Sequence, residues 1–125
     1  MLLFFEKIFE GYIAGTSNVY THTALGELLG SAESLSIYGQ ASSATGTSPT
    51  LTIQLEQSFD GTRWANQRTT AELSMVLASG SDQVIGAFPS SFLPLVPALS
   101  FVRLRMTLGG TAPATFLRLY ASGHT

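Results

Sequence analysis

The side chains in this 125-residue chain able to do acid–base, metal or nucleophilic chemistry are two histidines, eight carboxylates and many serines. Neither His22 nor His124 stands in a His-x-His or Glu-x-x-His spacing, the arrangements that bring two ligands to one ion. With no cysteine, thiolate metal sites and disulfides are both excluded. Serine has no Gly-x-Ser-x-Gly elbow to expose it beside a base. Glu56 and Asp60 could be read as the carboxylate pair of a glycoside hydrolase, but an outward strand position and a turn former account for both by local rules. No Gly-rich phosphate loop or calcium loop is present. These absences lead us to expect no catalytic residue, no cofactor and no metal, and hence no enzyme.

Binding chemistry has more to work with. Trp64, the single tryptophan, offers a face that can stack on a sugar ring, with Tyr38 as a second platform, or pack within or between subunits. Arg103, Arg105 and Arg118 occupy outward positions of alternating segments, within cross-strand reach of one another if those segments pair. They read either as a docking face for an acidic partner or as a solvated face paired with Glu56 or Glu72.

Charged residues are 11% of the chain and the net charge is −2, against about 25% charged residues in an average soluble domain. A surface so poor in charge favours association. It lacks the basic face that nucleic acid requires, so no nucleic-acid partner is expected. The opening apolar run stops at Glu6 and has no basic region before it, unlike a secretory signal. No stretch reaches the ~18 apolar residues of a membrane span. A protein made in a cytoplasm, with no membrane partner, is the expectation.

The elements that must position these groups are mostly strands. Phe5, Ile8, Phe9, Tyr12 and Ile13 fall at three-and-four spacing with Glu6, Lys7 and Glu10 opposite, which predicts a short amphipathic helix or an arm over residues 1–15. Leu2, Leu3, Phe4, Phe5, Ile8, Phe9 and Tyr12 are the candidate partner contacts on this arm, because so dense an apolar set exposed in solution would exceed what monomers tolerate. Alternation predicts a short strand from Val19, one from Ser34 to Tyr38, a loop over 41–50, and a clear strand with Leu51, Ile53 and Leu55 inward. Asp60 and Gly61 make the hairpin turn before Trp64: Asp bonds its own downstream backbone and Gly accepts positive φ. Weaker strands follow over 71–77 and 83–88. The segment 89–97 holds Pro89, Pro94 and Pro97 and cannot form a central strand. Val102, Leu104, Met106 and Leu108, then Leu117, Leu119 and Ala121, predict two strands joined as a hairpin at Gly109-Gly110. The sum is an all-β antiparallel sandwich, jelly-roll or immunoglobulin-like, with residues 1–29 as an N-terminal helical or extended docking segment and 30–125 as the sandwich domain.

The stretches "SPTLTIQLEQSFDGTRW" and "FVRLRMTLGGTAPATFLRLYASG" resemble a recurrent pattern in small β-sandwich virion proteins of tailed bacteriophages, the capsid decoration or cement type. The likeness covers residues 34–123. It departs at Phe59, where the pattern more usually has proline, and has no counterpart for residues 1–29. The resemblance implies a structural protein of the virion that self-associates as a homotrimer over capsid lattice junctions. It further implies contact with the major capsid protein and a place on the capsid surface after synthesis in the host cytoplasm. The alternatives are a carbohydrate-binding module using Trp64, and a tail or baseplate component of the same sandwich class.

Overall fold

The computed structural model describes residues 2–21, 34–66, 73–78, 80, 82–86, 93–94 and 101–124. Among these are eight strands and no helix: β1 (Leu2–Ala14), β2 (Val19–Tyr20), β3 (Ser34–Ser58), β4 (Ala65–Asn66), β5 (Leu73–Val76), β6 (Gln83–Gly86), β7 (Leu93–Pro94) and β8 (Phe101–His124). All pairings are antiparallel. No helix long and apolar enough to cross a membrane occurs among the described residues.

The frame is the β3–β8 ribbon. These strands, 25 and 24 residues long, pair from Ser34 opposite His124 to Ser58 opposite Phe101. Strands of this length cannot stay flat, and the sequence supplies bending points at their middles. Ser43, Gly46 and Ser48 in β3 and Gly110 and Ala112 in β8 have positive φ, and the register slips three times between Ser42 and Thr50. The flanking segments turn along the same line: Gly15 N–H donates to Pro113 O at 2.8 Å, Leu77 N–H to Pro49 O at 2.9 Å, and Gly80 N–H to Ala44 O at 2.7 Å.

The bend doubles the sheet over. One layer holds β1, the C-terminal half of β8, the N-terminal half of β3, and β6 with β7. The other holds β2, the N-terminal half of β8, the C-terminal half of β3, and β5 with β4. Inward positions in β8 are even before the bend (Val102, Leu104, Met106, Leu108) and odd after it (Leu117, Leu119, Ala121), and all of them are buried in one core with Ile37, Leu51, Ile53, Leu55 and Ile85. In β3 the inward positions are odd on both sides of the bend (Ile37 and Ala41, then Leu51, Ile53 and Leu55). The even-to-odd switch in β8 therefore absorbs the net one-residue slip between the strands, and both halves of the ribbon face the same interior, the arrangement of an antiparallel sandwich.

Three sequence expectations are corrected. The first segment is not helical: β1 pairs with β8 from Leu2 to Ala14. A register shift between Lys7 and Phe9 inserts Ile8 as an extra residue, and the apolar residues that imitate a helix are drawn from both faces of the strand, Ile8, Phe9 and Ile13 from the core side and Phe5 and Tyr12 from the outer side. Gly109-Gly110 does not reverse the chain, because both halves of β8 keep β3 as their partner; the glycines bend a single strand. The stretch 41–50 is not a loop but the kinked middle of β3. The boundary expected between 29 and 30, and most of the proline-rich segment, lie outside the described residues. Within that segment Leu93 and Pro94 pair with Leu35 and Ser34 at the end of β3.

Gly110 is where the bend tolerates no side chain. Its φ is +101°, and a Cβ would sit 2.6 Å from the carbonyl oxygens of both Thr47 and Ser48. Gly80 shares a positive φ (+75°) but has nothing within 4 Å. Gly110→Val, which adds a backbone clash to the strain of positive φ, should therefore lower unfolding free energy by more than Gly80→Ala, where the φ strain alone should cost about 1–2 kcal/mol, as urea titrations of the two variants would show.

Candidate functional site

Each layer turns an outer face to its surroundings, and each face carries an organised side-chain cluster. On the layer with β2, alternation in β3 puts Gln54 and Glu56 outward, opposite Arg105 and Arg103 of β8, while Tyr20 of β2 lies opposite Arg105. Glu56 is only 5% exposed. A buried carboxylate must be paired, and it accepts from Arg103 Nε at 2.7 Å and from Arg105 Nη1 at 3.1 Å. Arg105 Nη2 also donates to Gln54 Oε1. The Arg103 guanidinium carbon lies 3.9 Å from the Tyr20 ring centroid and 4.1 Å from that of Trp64, so both aromatics contribute cation–π attraction. Thr107 Oγ1 donates to Asn18 Oδ1 at 2.7 Å, tying the entry to β2 to the same face.

The turn before Trp64 is held by its own side chains. Ser58 Oγ accepts from the Asp60 and Gly61 amides at 3.2 and 2.9 Å, and Asp60 Oδ1 accepts from the Thr62 and Arg63 amides at 2.9 Å each. Gly61 takes φ +79°. The Arg63 and Thr62 amides, by bonding the ionised carboxylate, hold Asp60 below the usual aspartate range. The chain then returns as β4, with Ala65 opposite Gln57.

The outer face of the other layer is aromatic. Phe5 stacks on Tyr120 with centroids 5.4 Å apart and planes 10° from parallel, and meets Tyr38 at 5.9 Å. Farther along, Glu10 accepts from Arg118 Nε at 2.9 Å and Lys7 Nζ at 3.2 Å. Lys7, followed by Arg118, holds its carboxyl below the usual glutamate range. Arg118 also lies 5.7 Å from the Phe116 ring. Phe5 is 54% and Tyr12 68% exposed.

The candidate residues are thus redistributed. Arg103 and Arg105 share one face, but Arg118 lies on the other layer, beyond their reach, because the bend separates residues that a hairpin would have kept together. Trp64 and Tyr38 are likewise on different layers and form no joint platform. In β1, Ile8 and Phe9 pack against the core and Ile13 belongs to it, whereas Phe5 and Tyr12 point outward. For Leu2 and Phe4 the backbone pairs with His124 and Gly123; Leu3 lies between them. Tyr20, Tyr120 and Phe116 join these clusters without any motif in the sequence that marks them. Tyr120 and Phe116 were visible as outward positions of an alternating strand, but the partner of Tyr20 depends on a register that pattern does not give. Glu56 and Asp60 are engaged separately, one by guanidinium groups and the other by its own turn. Among the described residues no group of three or more His, Asp or Glu side chains could hold a metal ion.

No protein-family model and no characterised protein sequence matches the chain. Among solved structures, the chain is similar to a protein of Bacillus endospore appendages, described as disulfide-linked pili, at 16% identity and a TM-score of 0.41, covering 95% of this chain and 90% of that one. It is also similar to a chain from infectious bursal disease virus strain Gx, at 15% identity and a TM-score of 0.46, covering 97% of this chain but 32% of the viral one. A chain from T=1 particles derived from that virus gives 14% identity and a TM-score of 0.42, with 31% of the viral chain covered. This chain has no cysteine with which to form a disulfide link.

Two measurements check these sites. Arg103→Lys keeps the charge but loses the planar group between Tyr20 and Trp64; a loss of about 1–2 kcal/mol in denaturant unfolding is expected. For Asp60 the folded pKa is depressed. Its contribution to turn stability is therefore full above the ordinary aspartate value of about 3.9 and is lost as pH falls through the lower folded value. Carboxyl NMR should give Asp60 a midpoint below the ordinary one, and Ser58→Ala should move it back upward.

Proposed function

We propose that this chain is a structural subunit of a virion that decorates or cements a tailed-phage capsid, associating with itself as a homotrimer and contacting the major capsid protein. The observation that carries the reading is the outer face of the β1 layer. There Phe5 and Tyr12 stand largely exposed beside Tyr38, Phe116 and Tyr120 on a protein with only 11% charged residues. Aromatic side chains give much contact area for little ordering entropy and are enriched at protein interfaces. The hairpin and C-terminal motifs that resemble decoration proteins support the same reading.

Arg103 and Arg105 are less suited to a leading contact than their sequence positions promise. Both are held against their own face by Glu56, which balances one of their two charges. A carbohydrate-binding role through Trp64 is weaker for a related reason: one face of the indole is occupied by Arg103.

The test is reconstitution. Purified protein added to tailed-phage capsid shells stripped of accessory proteins should occupy lattice junctions with threefold density in electron cryo-microscopy. Binding should survive about 0.5 M salt, at which exposed charge pairs are screened. Phe5→Ser with Tyr12→Ser should reduce occupancy severalfold while circular dichroism stays that of the folded sandwich. Unoccupied shells with the unaltered protein would overturn the capsid assignment.

A further inference from the structure

β1 ends the sheet order, with β8 on one side and no described strand on the other. At 13 residues it is well above the usual five or six. Exposed edges of such length template pairing with another strand unless blunted by proline, charge or twist. β1 contains no proline, and its charged residues are Glu6, Lys7 and Glu10.

The arrangement of its outward side chains is specific. Before the bulge, Phe5 and Lys7 lie opposite Ser122 and Tyr120, outward positions of β8; after it, Glu10 and Tyr12 lie opposite Arg118 and Phe116, also outward. In an unbroken strand positions 7 and 10 would face opposite ways. The extra residue at Ile8 brings them to one face and makes the outward series Phe5, Lys7, Glu10, Tyr12 symmetric about a point between Ile8 and Phe9. A second copy of the strand laid antiparallel about a twofold axis at that point sets Phe5 against Tyr12 and Lys7 against Glu10, and the same two pairs recur by symmetry. Opposite charges and aromatic pairs are the favourable directly opposed partners in antiparallel sheets.

We infer that β1 is a homotypic docking edge: two copies of this chain join their β1 strands antiparallel, with Lys7 opposite Glu10 and Phe5 opposite Tyr12, into one continuous sheet across a twofold axis. The inference deepens the self-association proposed above and rests on it, naming the surface and the symmetry of one contact. A twofold contact links neighbouring subunits or trimers, since a threefold ring needs a heterologous surface.

Charge reversal tests it without relying on loss alone. In Lys7→Glu the paired positions become glutamate against glutamate, and in Glu10→Lys they become lysine against lysine. Each variant alone should self-associate at least about tenfold more weakly in sedimentation velocity, because two like-charge pairs arise per contact. Mixed one to one, the variants restore both pairs, because the two glutamates of one strand then face the two lysines of the other across the axis, so heterodimers should form at near wild-type affinity. Intramolecular effects of either substitution cannot produce rescue on mixing. If unaltered protein associates but the variants match it, or if mixing restores nothing, β1 pairing is overturned while self-association through another surface stands. If the unaltered protein stays monomeric at concentrations of about 100 μM, above the weak end of specific interfaces, both readings fall together.

Discussion

Everything in this fold depends on the β3–β8 ribbon bending without breaking. Two strands of 25 and 24 residues share one continuous antiparallel pairing, and flat they would present a long apolar stripe with nothing to cover it. Bent at Gly46 and Gly110, with Ser43, Ser48 and Ala112 also at positive φ, they cover themselves. The cost is local: three non-glycine residues in the left-handed region and interrupted hydrogen bonding over the slips in register. What is gained is a core in which Leu51, Ile53, Leu55, Leu104, Met106, Leu117 and Leu119 are fully buried, each contributing about 1.5–3 kcal/mol relative to exposure. The burial outweighs the strain.

The bend also decides which surface residues can act together. Arg105 and Arg118 belong to one strand, yet Arg105 bonds Glu56 and Gln54 on one layer while Arg118 bonds Glu10 on the other. One face becomes a rigid polar surface in which a buried carboxylate organises two guanidinium groups and an aromatic pair. The other becomes an aromatic surface edged by Lys7, Glu10 and Arg118. Among the described residues, four cations are engaged internally: Lys7, Arg103, Arg105 and Arg118 each sit in an ion pair. Long-range attraction is correspondingly small, and association is left to shape and apolar area.

Much of this was legible in the sequence where a single alternation sufficed. Leu51, Ile53 and Leu55 and the even series from Val102 to Leu108 declared their inward faces. What stayed hidden were events that alter the phase of an alternation. A Gly-Gly pair between two alternating runs means reversal in one context and a bend in another, and the deciding quantity is whether the partner strand changes, which is settled by residues far away in the chain. In β1, apolar residues on both faces together with the extra residue at Ile8 disguise a strand as a helix. The cluster around Glu56 is partly legible, since alternation puts Arg103 and Glu56 on outward positions that can pair, but the contribution of Tyr20 requires the register of β2.

Phase shifts occur both at the bend of β8 and at the bulge of β1, and their consequences differ between the core and the edge. In β8 the shift takes up the one-residue slip against β3, which keeps odd residues inward through the bend, and the gain there is hydrophobic and independent of any partner. In β1 the shift changes which residues accompany one another outward, and the gain within the isolated chain is modest: Lys7 and Glu10 form a surface pair of the kind that contributes about 0–1 kcal/mol, and Phe5 stacks on Tyr120 while remaining half exposed. A bulge disrupts ladder hydrogen bonds, so an edge strand that carries one for so small an internal gain invites an external reason. Bulges do serve to blunt edges by twisting them away from neighbours. Blunting alone, however, needs only charge, and leaves no requirement that Phe5 and Tyr12 remain exposed on the same face at equal distances from the bulge. That arrangement distinguishes an edge shaped for one partner from an edge shaped against all of them.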